Sequence, residues 1–238
     1  MAIDDNARIQ HAGARNAGGS PSQTATRLLI ILDVLGDPIT APPQGLDAVS
    51  KVASLTRLEK LDFWLRNPDY LAGDLMTDYE DGLLTFDEVQ PHLQRMLSGG
   101  APSLHRYPMS RYLYGAYDRV DNALSILKTY GQIAHRRNGE SGGKTRRDYF
   151  LLRSGRETLQ KMRAGIPELR WYDEQAAAIM LLADAAQGAR ARRRQYMHPE
   201  YKDADHGSLI PPILDRVLVR ADELGFALLD DTNKVATA

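Results

Sequence analysis

Apolar residues recur at helical spacing along much of this 238-residue chain, and the pattern predicts a mainly α-helical protein. Leucines at one face predict a first helix over 24–35, which Gly36, Asp37 and Pro38 end. Apolar residues three and four apart predict a second helix over 50–66. Further helices are predicted over 68–76, 86–97, 117–130, 154–162, 171–196 and 211–229, and Gly131 is well placed as the C-cap of the 117–130 helix.

One stretch has the pattern of strands instead. Residues 132–137 and 146–152 are strand-like runs that flank the glycine-rich segment 138–145, so they predict a β-hairpin. A helix precedes this hairpin and another follows it, which is the back half of a winged helix. The two helices at 24–66 would supply its front half. The predicted fold is therefore mainly α, a winged-helix module with a helical insertion and a C-terminal helical extension.

Composition suggests where these parts begin and end. Residues 1–23 are rich in small and polar residues without an apolar period, and they predict a disordered N-terminal arm. The winged-helix-like domain is predicted over 24–163, with its insertion at about 67–116. Residues 164–238 form a predicted C-terminal helical region with a frayed tail.

The overall composition excludes several classes of protein. The chain has no cysteine, so it has no disulfide, thiolate metal site or cysteine nucleophile, and it fits a reducing cytoplasm. Apolar runs such as Leu28–Leu32 are far shorter than a membrane-spanning helix, and we expect no membrane association. The net charge is −1, so any binding of nucleic acid depends on local patches.

Motifs for catalysis and for metal binding are imitated but lack their context. Segment 139–145 resembles a nucleophile elbow around Ser141 and ends like a phosphate-binding loop at Lys144. A strand-like run follows where a helix would have to begin, so a hairpin tip is the better interpretation. Spacing also rules out a calcium loop near Gly82. A polar loop at 197–208 carries metal-capable groups without a recognised spacing, and we interpret it as solvated: His198, Glu200, Asp203, Asp205 and His206. We predict no enzyme activity, no cofactor and no metal.

The strongest charge asymmetry lies around the hairpin. Between residues 128 and 170, eleven basic residues face four acidic ones, a net charge of +7. The hairpin, here called the wing, carries five of the bases, which are predicted to contact the DNA backbone: Arg136, Arg137, Lys144, Arg146 and Arg147. Three interpretations stay open: sequence-specific reading, backbone contact alone, or a wing that faces a protein. Asp118 and Asp121 at the start of the 117–130 helix disfavour base reading.

Three other charged or apolar segments also have two interpretations each. The acidic segment 69–88 is either a solvated surface or a docking face for a basic partner. The arginines at 190–194 either bind phosphate or complement the end of their helix. The apolar stripe of the last helix, from Leu214 to Leu228, either enters the core or pairs with another chain.

Three segments together resemble a bacterial family: RLLIILDVLG at 27–36, LTRLEKLDFWLRNPDYL at 55–71 and RYLYGAYDRVDNALSILKTYGQI at 111–133. They are similar to the middle component of ABC-three-component systems, which include Lamassu-like loci. The match of Lys60–Pro68 and Arg111–Asp118 to the signatures of that family is the most specific part, although position 64 is Trp rather than aliphatic. The resemblance covers about residues 25–160.

The resemblance implies a function in antiviral or anti-plasmid defence. It implies a non-enzymatic, winged-helix-like adaptor subunit that binds an SMC- or Rad50-like ABC ATPase, with a third, effector subunit such as a nuclease. In such a complex the wing would contact the DNA backbone. The alternative is a free-standing winged-helix transcription regulator, since the wing is basic and the terminal helices offer a dimer interface.

Overall fold

The computed structural model describes residues 20–98, 109–112, 115–117, 120–138 and 146–228. These residues are mostly helical, with a small four-stranded antiparallel sheet, so the predicted mainly α class is confirmed. The α-helices are α1 (Pro21–Val34), α2 (Leu55–Arg66), α3 (Pro68–Glu80), α4 (Phe86–Leu97), α5 (Asp121–Thr129), α6 (Arg153–Gly165), α7 (Leu169–Leu181), α8 (Gly188–Gln195), α9 (Pro199–Asp203) and α10 (Leu214–Glu223). The strands are β1 (Asp37–Pro38), β2 (Ala48–Ala53), β3 (Ser110–Tyr112), β4 (Gly115–Tyr117), β5 (Ile133–Asn138) and β6 (Arg146–Leu152).

Helix α1 lies at the centre of the molecule. A capping box of Ser20 and Gln23 starts it at Pro21, three residues earlier than predicted and inside the segment assigned to the arm. The run Leu28–Leu32 is buried on every side, and α1 contacts α2, α5, α6, α7 and both central strands of the sheet. Residues 1–19 of the predicted arm lie outside the described residues.

The main sheet has the strand order β1-β2-β6-β5. Strands β5 and β6 pair antiparallel from Ile133 opposite Leu151 to Asn138 opposite Arg146, which confirms the predicted pairing of the wing strands. The tip of the wing, with the motif-like segment 139–145, lies outside the described residues. One face of the sheet carries Val52, Ile133 and Leu151 into the core.

The predicted helix over 50–66 is wrong at its beginning, because strand β2 occupies 48–53. Its burial alternates residue by residue, and it pairs with β6 over most of its length. Val52 and the leucines of α2 also fit a helical period, which is why the sequence pattern merged the two elements. The chain changes from strand to helix at Ser54, which has a φ of 73°. Its hydroxyl accepts a hydrogen bond from the Arg57 amide.

The predicted helix over 117–130 is shorter than expected. It begins at Asp121, since residues 115–117 form β4 and pair with β3. At its end Gly131 has a φ of 64°, in agreement with the expected C-cap.

The predicted continuous helix over 171–196 is wrong, since it is broken into α7, a 3-10 turn over Ala183–Ala186, and α8. Gly188 begins α8 directly against the backbone of α2: a Cβ there would lie 2.8 Å from the Arg57 amide nitrogen. This close approach is possible because residue 188 has no side chain, and it lets α8 pack directly on α2.

The last helix is also shorter than the predicted 211–229. Pro211 and Pro212 lie before the helix, and the amide of Ile213 donates to the Asp69 carboxylate at 2.8 Å before α10 begins. Val217 and Ala221 are buried and α10 packs on α3, so its apolar stripe belongs to the core.

Part of the C-terminal region pairs with the insertion. The amide of Ile210 donates to the Met109 carbonyl at 2.9 Å, and the amide of Arg111 donates to the Ser208 carbonyl at 2.9 Å. Residues 207–210 therefore extend the small β3–β4 sheet. Within the described residues, no helix combines the length and apolar character that crossing a membrane requires.

Candidate nucleic-acid interface

The pairing of β5 with β6 separates the predicted wing residues onto two faces. Arg137 lies directly opposite Arg147, whereas Arg136 lies opposite Asp148 and Asn138 lies opposite Arg146. Residues opposite each other in an antiparallel pair share one face, and the faces alternate along the strand. All four arginines are exposed, and Lys144 lies outside the described residues.

Arg136 and Arg146 lie on the outer face of the wing, opposite to the face that carries Ile133 and Leu151. Both side chains already have partners within the chain. The guanidinium of Arg136 donates to the Gln44 carbonyl at 2.6 Å. Arg146 forms an ion pair with Asp148, with 3.1 Å between Nε and Oδ1. Arg136 therefore holds the wing against the loop that follows β1, whereas Arg146 is neutralised by a carboxylate of its own strand.

Arg137 and Arg147 lie on the opposite face, which carries Ile133 and Leu151 into the core farther along the strands. Arg137 makes no hydrogen bond or ion pair with another described residue. Arg147 donates a hydrogen bond to Tyr149, which opposes the larger effect of burial on the raised pKa of that phenol. Two like charges directly opposite each other destabilise a strand pair, so this arrangement suits an anionic ligand.

His135 lies near positive charges of both the wing and helix α5. Burial, and then the charges of Lys128 and Arg147, lower the pKa of the His135 imidazole. Lys128 of α5 therefore extends the positive field of the wing. The exposed positions of α5 include Asp121, Asn122 and Lys128, so its surface carries one acid and one base.

The remaining arginines of the basic stretch are neutralised by acids from other elements. Arg153 pairs with Asp47 at 3.0 Å, and Arg156 and Arg163 both pair with Asp33 at 2.7 and 2.8 Å. The charge asymmetry seen in the sequence is thus concentrated, within the described residues, on the wing.

The acidic segment is largely internal, so both interpretations given for 69–88 fail for its first three aspartates. Asp69, Asp74 and Asp78 are at most 4% exposed. Asp74 accepts hydrogen bonds from the Trp64 indole at 2.7 Å and from Arg194 Nε at 3.1 Å. Only the later acids of the segment lie at the surface: Glu80, Asp81, Asp87 and Glu88.

Arg194 of α8 holds two of these carboxylates together. Its Nη1 lies 2.6 Å from Asp78 Oδ1, and its Nη2 donates to the Asp74 carbonyl at 2.7 Å. Burial raises the pKa of the Asp78 carboxyl, and the charge of Arg194 opposes that shift. The arginine cluster at 190–194 thus binds carboxylates of α3 through Arg194. Neither phosphate binding nor complementing the helix end, the two interpretations given above, included this pairing.

The polar loop predicted at 197–208 is not solvated throughout. His198 is 7% exposed and its Nε2 lies 3.0 Å from Asp74 Oδ1, while Tyr201 of the short helix α9 is fully buried. Among the described residues, no group of three or more His, Cys, Asp or Glu side chains has an arrangement that would hold a metal ion.

Sequence reasoning missed a buried lysine. Lys60 is 1% exposed, and its ammonium donates to the Ala116 carbonyl at 3.0 Å and to the Tyr201 hydroxyl at 3.2 Å. Burial lowers the pKa of Lys60 to about 8. The Ala116 amide also donates to the Tyr201 hydroxyl, at 2.6 Å, so one phenol connects α2, β4 and α9.

The segment Lys60–Pro68, which carries the resemblance described above, is buried except for the half-buried Asn67. Asp62 pairs with Arg27 at 2.9 Å and with Arg66 at 3.3 Å. Burial opposes ionisation of Asp62, but these two guanidinium groups together hold its pKa below the ordinary value. The charged residues of this segment therefore stabilise the core, and in this structure they form no surface site.

No family model, curated protein or solved structure matches the chain. The resemblance to the middle component of ABC-three-component systems stays a prediction.

Proposed function

We propose that this chain is a non-enzymatic adaptor subunit of an SMC- or Rad50-like ATPase complex in antiviral or anti-plasmid defence, and that it contacts the DNA backbone through its wing. The exposed pair of Arg137 and Arg147 on one face of β5 and β6 is the observation that carries the DNA contact. The ATPase, the effector subunit and the defence role come from the sequence resemblance alone.

The order of elements supports a winged-helix module. Helix α1, strand β2 and helix α2 form a first half, and helix α5 with strands β5 and β6 forms a second half. Strand β2 pairs with β6, so the last strand lies between the other two. Helices α3 and α4 occupy the position of the predicted insertion.

The charges favour backbone contact over base reading. Guanidinium groups bind phosphate oxygens strongly, and such contacts hold a duplex without reading its sequence. The exposed face of α5 has an aspartate at its first position, where a recognition helix approaches bases. The wing supplies positive charge beside a helix of nearly balanced charge.

A salt titration of duplex affinity tests the DNA contact. Each phosphate contact contributes about 0.9 to the slope of log affinity against log salt. The double substitution Arg137→Ala/Arg147→Ala should lower the magnitude of this slope by about 1.8 on two unrelated duplexes. Arg136→Ala/Arg146→Ala should lower it less, because both side chains already have partners within the chain.

The matched control is Arg153→Ala/Arg170→Ala, which removes two exposed arginines that pair with Asp47 and Glu174 elsewhere on the surface. It should leave the slope unchanged. Equal losses in all three double variants would mean that only net charge matters and would contradict a wing contact. A loss confined to one duplex would favour the transcription regulator instead.

The adaptor role is tested separately by co-expression with an ATPase encoded beside this chain. A complex that survives gel filtration is expected. A chain that stays monomeric beside every neighbouring gene product would contradict the adaptor role, whatever the DNA titration shows.

A further inference from the structure

Strand β5 lies at an edge of the main sheet, and among the described strands β6 is its one neighbour. Residues opposite each other in an antiparallel pair alternate between those that exchange backbone hydrogen bonds and those that do not. The Leu152 amide donates to the carbonyl of Gln132, directly opposite, at 3.0 Å. The even-numbered residues of β5 therefore bond to β6, and the amide and carbonyl groups of His135 and Arg137 point away from the sheet.

The pairing of β6 with β2 gives the same assignment. The Ser54 amide donates to the Arg147 carbonyl at 3.1 Å, so the odd-numbered residues of β6 bond to β2 and the even-numbered ones bond to β5. Within the described part of the chain, no hydrogen bond uses the backbone amide or carbonyl of His135 or Arg137. The edge of β5 is therefore open to a further strand along these two residues.

This open edge is positively charged at its wing end. Arg136 and Arg137 are exposed and lie on opposite faces of the sheet, and Arg147 lies beside Arg137. Lys128 of α5 adds a fourth cation close to the edge. None of these four side chains forms an ion pair with a carboxylate of the described residues. Charges on an edge strand keep identical edges apart, so a second copy of this chain is disfavoured here, whereas an acidic strand is attracted.

We propose that the edge of β5 binds an extended, acidic segment of a partner protein, which adds a strand to the main sheet. The backbone of this segment would exchange hydrogen bonds with His135 and Arg137, the source of affinity in complexes formed by strand addition. Its acidic side chains would lie beside Arg136 on one face and Arg137 on the other. Toward Ile133 and Ala134 the edge has no charge, so that end of the segment would carry apolar or β-branched residues.

This inference goes beyond the proposed function, because strand addition requires neither the ATPase nor DNA. Arg137 also belongs to the proposed DNA contact, so a bound acidic strand would compete with a duplex for that side chain. The two proposals are nevertheless separable by experiment. The added strand needs the backbone amide of His135, whereas the duplex contact needs the guanidinium groups of Arg137 and Arg147.

The probe is a labelled synthetic peptide, Glu-Glu-Val-Thr-Val-Glu-Glu, whose two acidic ends allow it to pair in either direction. Fluorescence anisotropy measures its affinity, and NMR follows amide hydrogen exchange of the chain with and without the peptide. We expect saturable binding, and exchange of the His135 and Arg137 amides at least about tenfold slower in the complex. The matched peptide with lysine in place of each glutamate should not bind.

His135→Pro tests the backbone hydrogen bond, and His135→Ala is its matched control. Proline removes an N–H that no described residue uses and places its ring against the incoming strand, whereas alanine removes the side chain and keeps the N–H. His135→Pro should weaken peptide binding about tenfold or more relative to His135→Ala. It should leave the salt slope of duplex affinity unchanged, because every wing arginine is retained.

A modified peptide gives the same test on the wild-type chain, should His135→Pro fail to fold. Methylation of the backbone nitrogens of its threonine and of one adjacent valine removes a donor toward β5 in either register, and it should weaken binding to a similar extent.

The inference is overturned if the acidic peptide does not bind, if the lysine peptide binds equally, or if binding leaves exchange of the His135 and Arg137 amides unchanged. It is also overturned if neither the folded His135→Pro variant nor methylation of the peptide weakens binding. A wild-type dimer that His135→Pro converts to a monomer would overturn it in favour of a second copy of this chain.

Discussion

Two arginine-rich parts of this chain have opposite environments. On the wing, Arg137 and Arg147 are exposed and lie opposite each other without a carboxylate between them. On α8, Arg194 is 8% exposed and lies between Asp74 and Asp78 of α3. The two runs look alike in sequence, and the difference arises because only α8 packs against a helix that supplies acids.

Arg194 is a charge that stabilises the fold, whereas the charges of Arg137 and Arg147 are available to bind a ligand. A buried ion pair is costly to break, since the partner left behind is desolvated and uncompensated. An exposed arginine costs little to remove and contributes little to folding. The following predictions test this separation, from the largest effect to the smallest.

Arg194→Met should lower the free energy of unfolding by about 3–5 kcal/mol, because Asp74 and Asp78 would lose their common partner. Urea unfolding at pH 7 measures the loss. The matched control is Arg193→Met, at the exposed neighbouring position, which should stay within about 0.5 kcal/mol of the wild type.

The Arg194→Met variant should also recover stability as the pH falls. The pKa of Asp78 is already raised by burial, and it rises further without Arg194, so the folded state takes up protons that the unfolded state does not. A loss under about 1 kcal/mol, or no recovery in acid, would mean that solvent already compensates the carboxylates.

Lys60 is a buried cation that forms no ion pair with a carboxylate of the described residues, and it should make stability depend on pH in the alkaline range. Its pKa is about 8 in the folded chain and 10.5 when exposed, so between these values the unfolded state binds more protons and stability rises with pH. From pH 8 to pH 10 the wild type should gain about 2 kcal/mol relative to Lys60→Met. Parallel curves for the two proteins would show that Lys60 keeps its ordinary pKa.

Arg137→Ala/Arg147→Ala should change the free energy of unfolding by less than about 0.5 kcal/mol. A small gain is the expected sign, because two like charges directly opposite in a strand pair repel each other. Thermal unfolding at low and high salt measures the change, and any gain should shrink in high salt. A loss above about 1 kcal/mol would place these arginines in the fold rather than at a ligand surface.

Local patterns in the sequence were sufficient to predict those elements that depend on neighbouring residues. The strands of the wing, the break at Gly36 and the C-cap at Gly131 follow from residue types within a few positions of each other. Strand β2 was missed because Val52 fits both a strand and a continuation of α2, and only its pairing with β6 decides between them.

The candidate interface was predicted in composition but not in geometry. Five wing residues were expected to act together, yet the register separates Arg136 and Arg146 from Arg137 and Arg147. Nothing in the sequence showed that Asp74 would meet Arg194, because the two positions are 120 residues apart. Long-range pairings of this kind depend on how helices pack, which periodicity does not report.

These long-range pairings also determine the order in which the protein can mature during synthesis. Helices α2 and α3 leave the ribosome well before their partners. Lys60, Asp69 and Asp74 then still lack Tyr201, Ile213 and Arg194, each more than a hundred positions later. Domains usually fold as units and from the N-terminus. Here the N-terminal half must instead wait, with apolar surface and unpaired charges accessible to chaperones and proteases, until the last quarter of the chain has emerged.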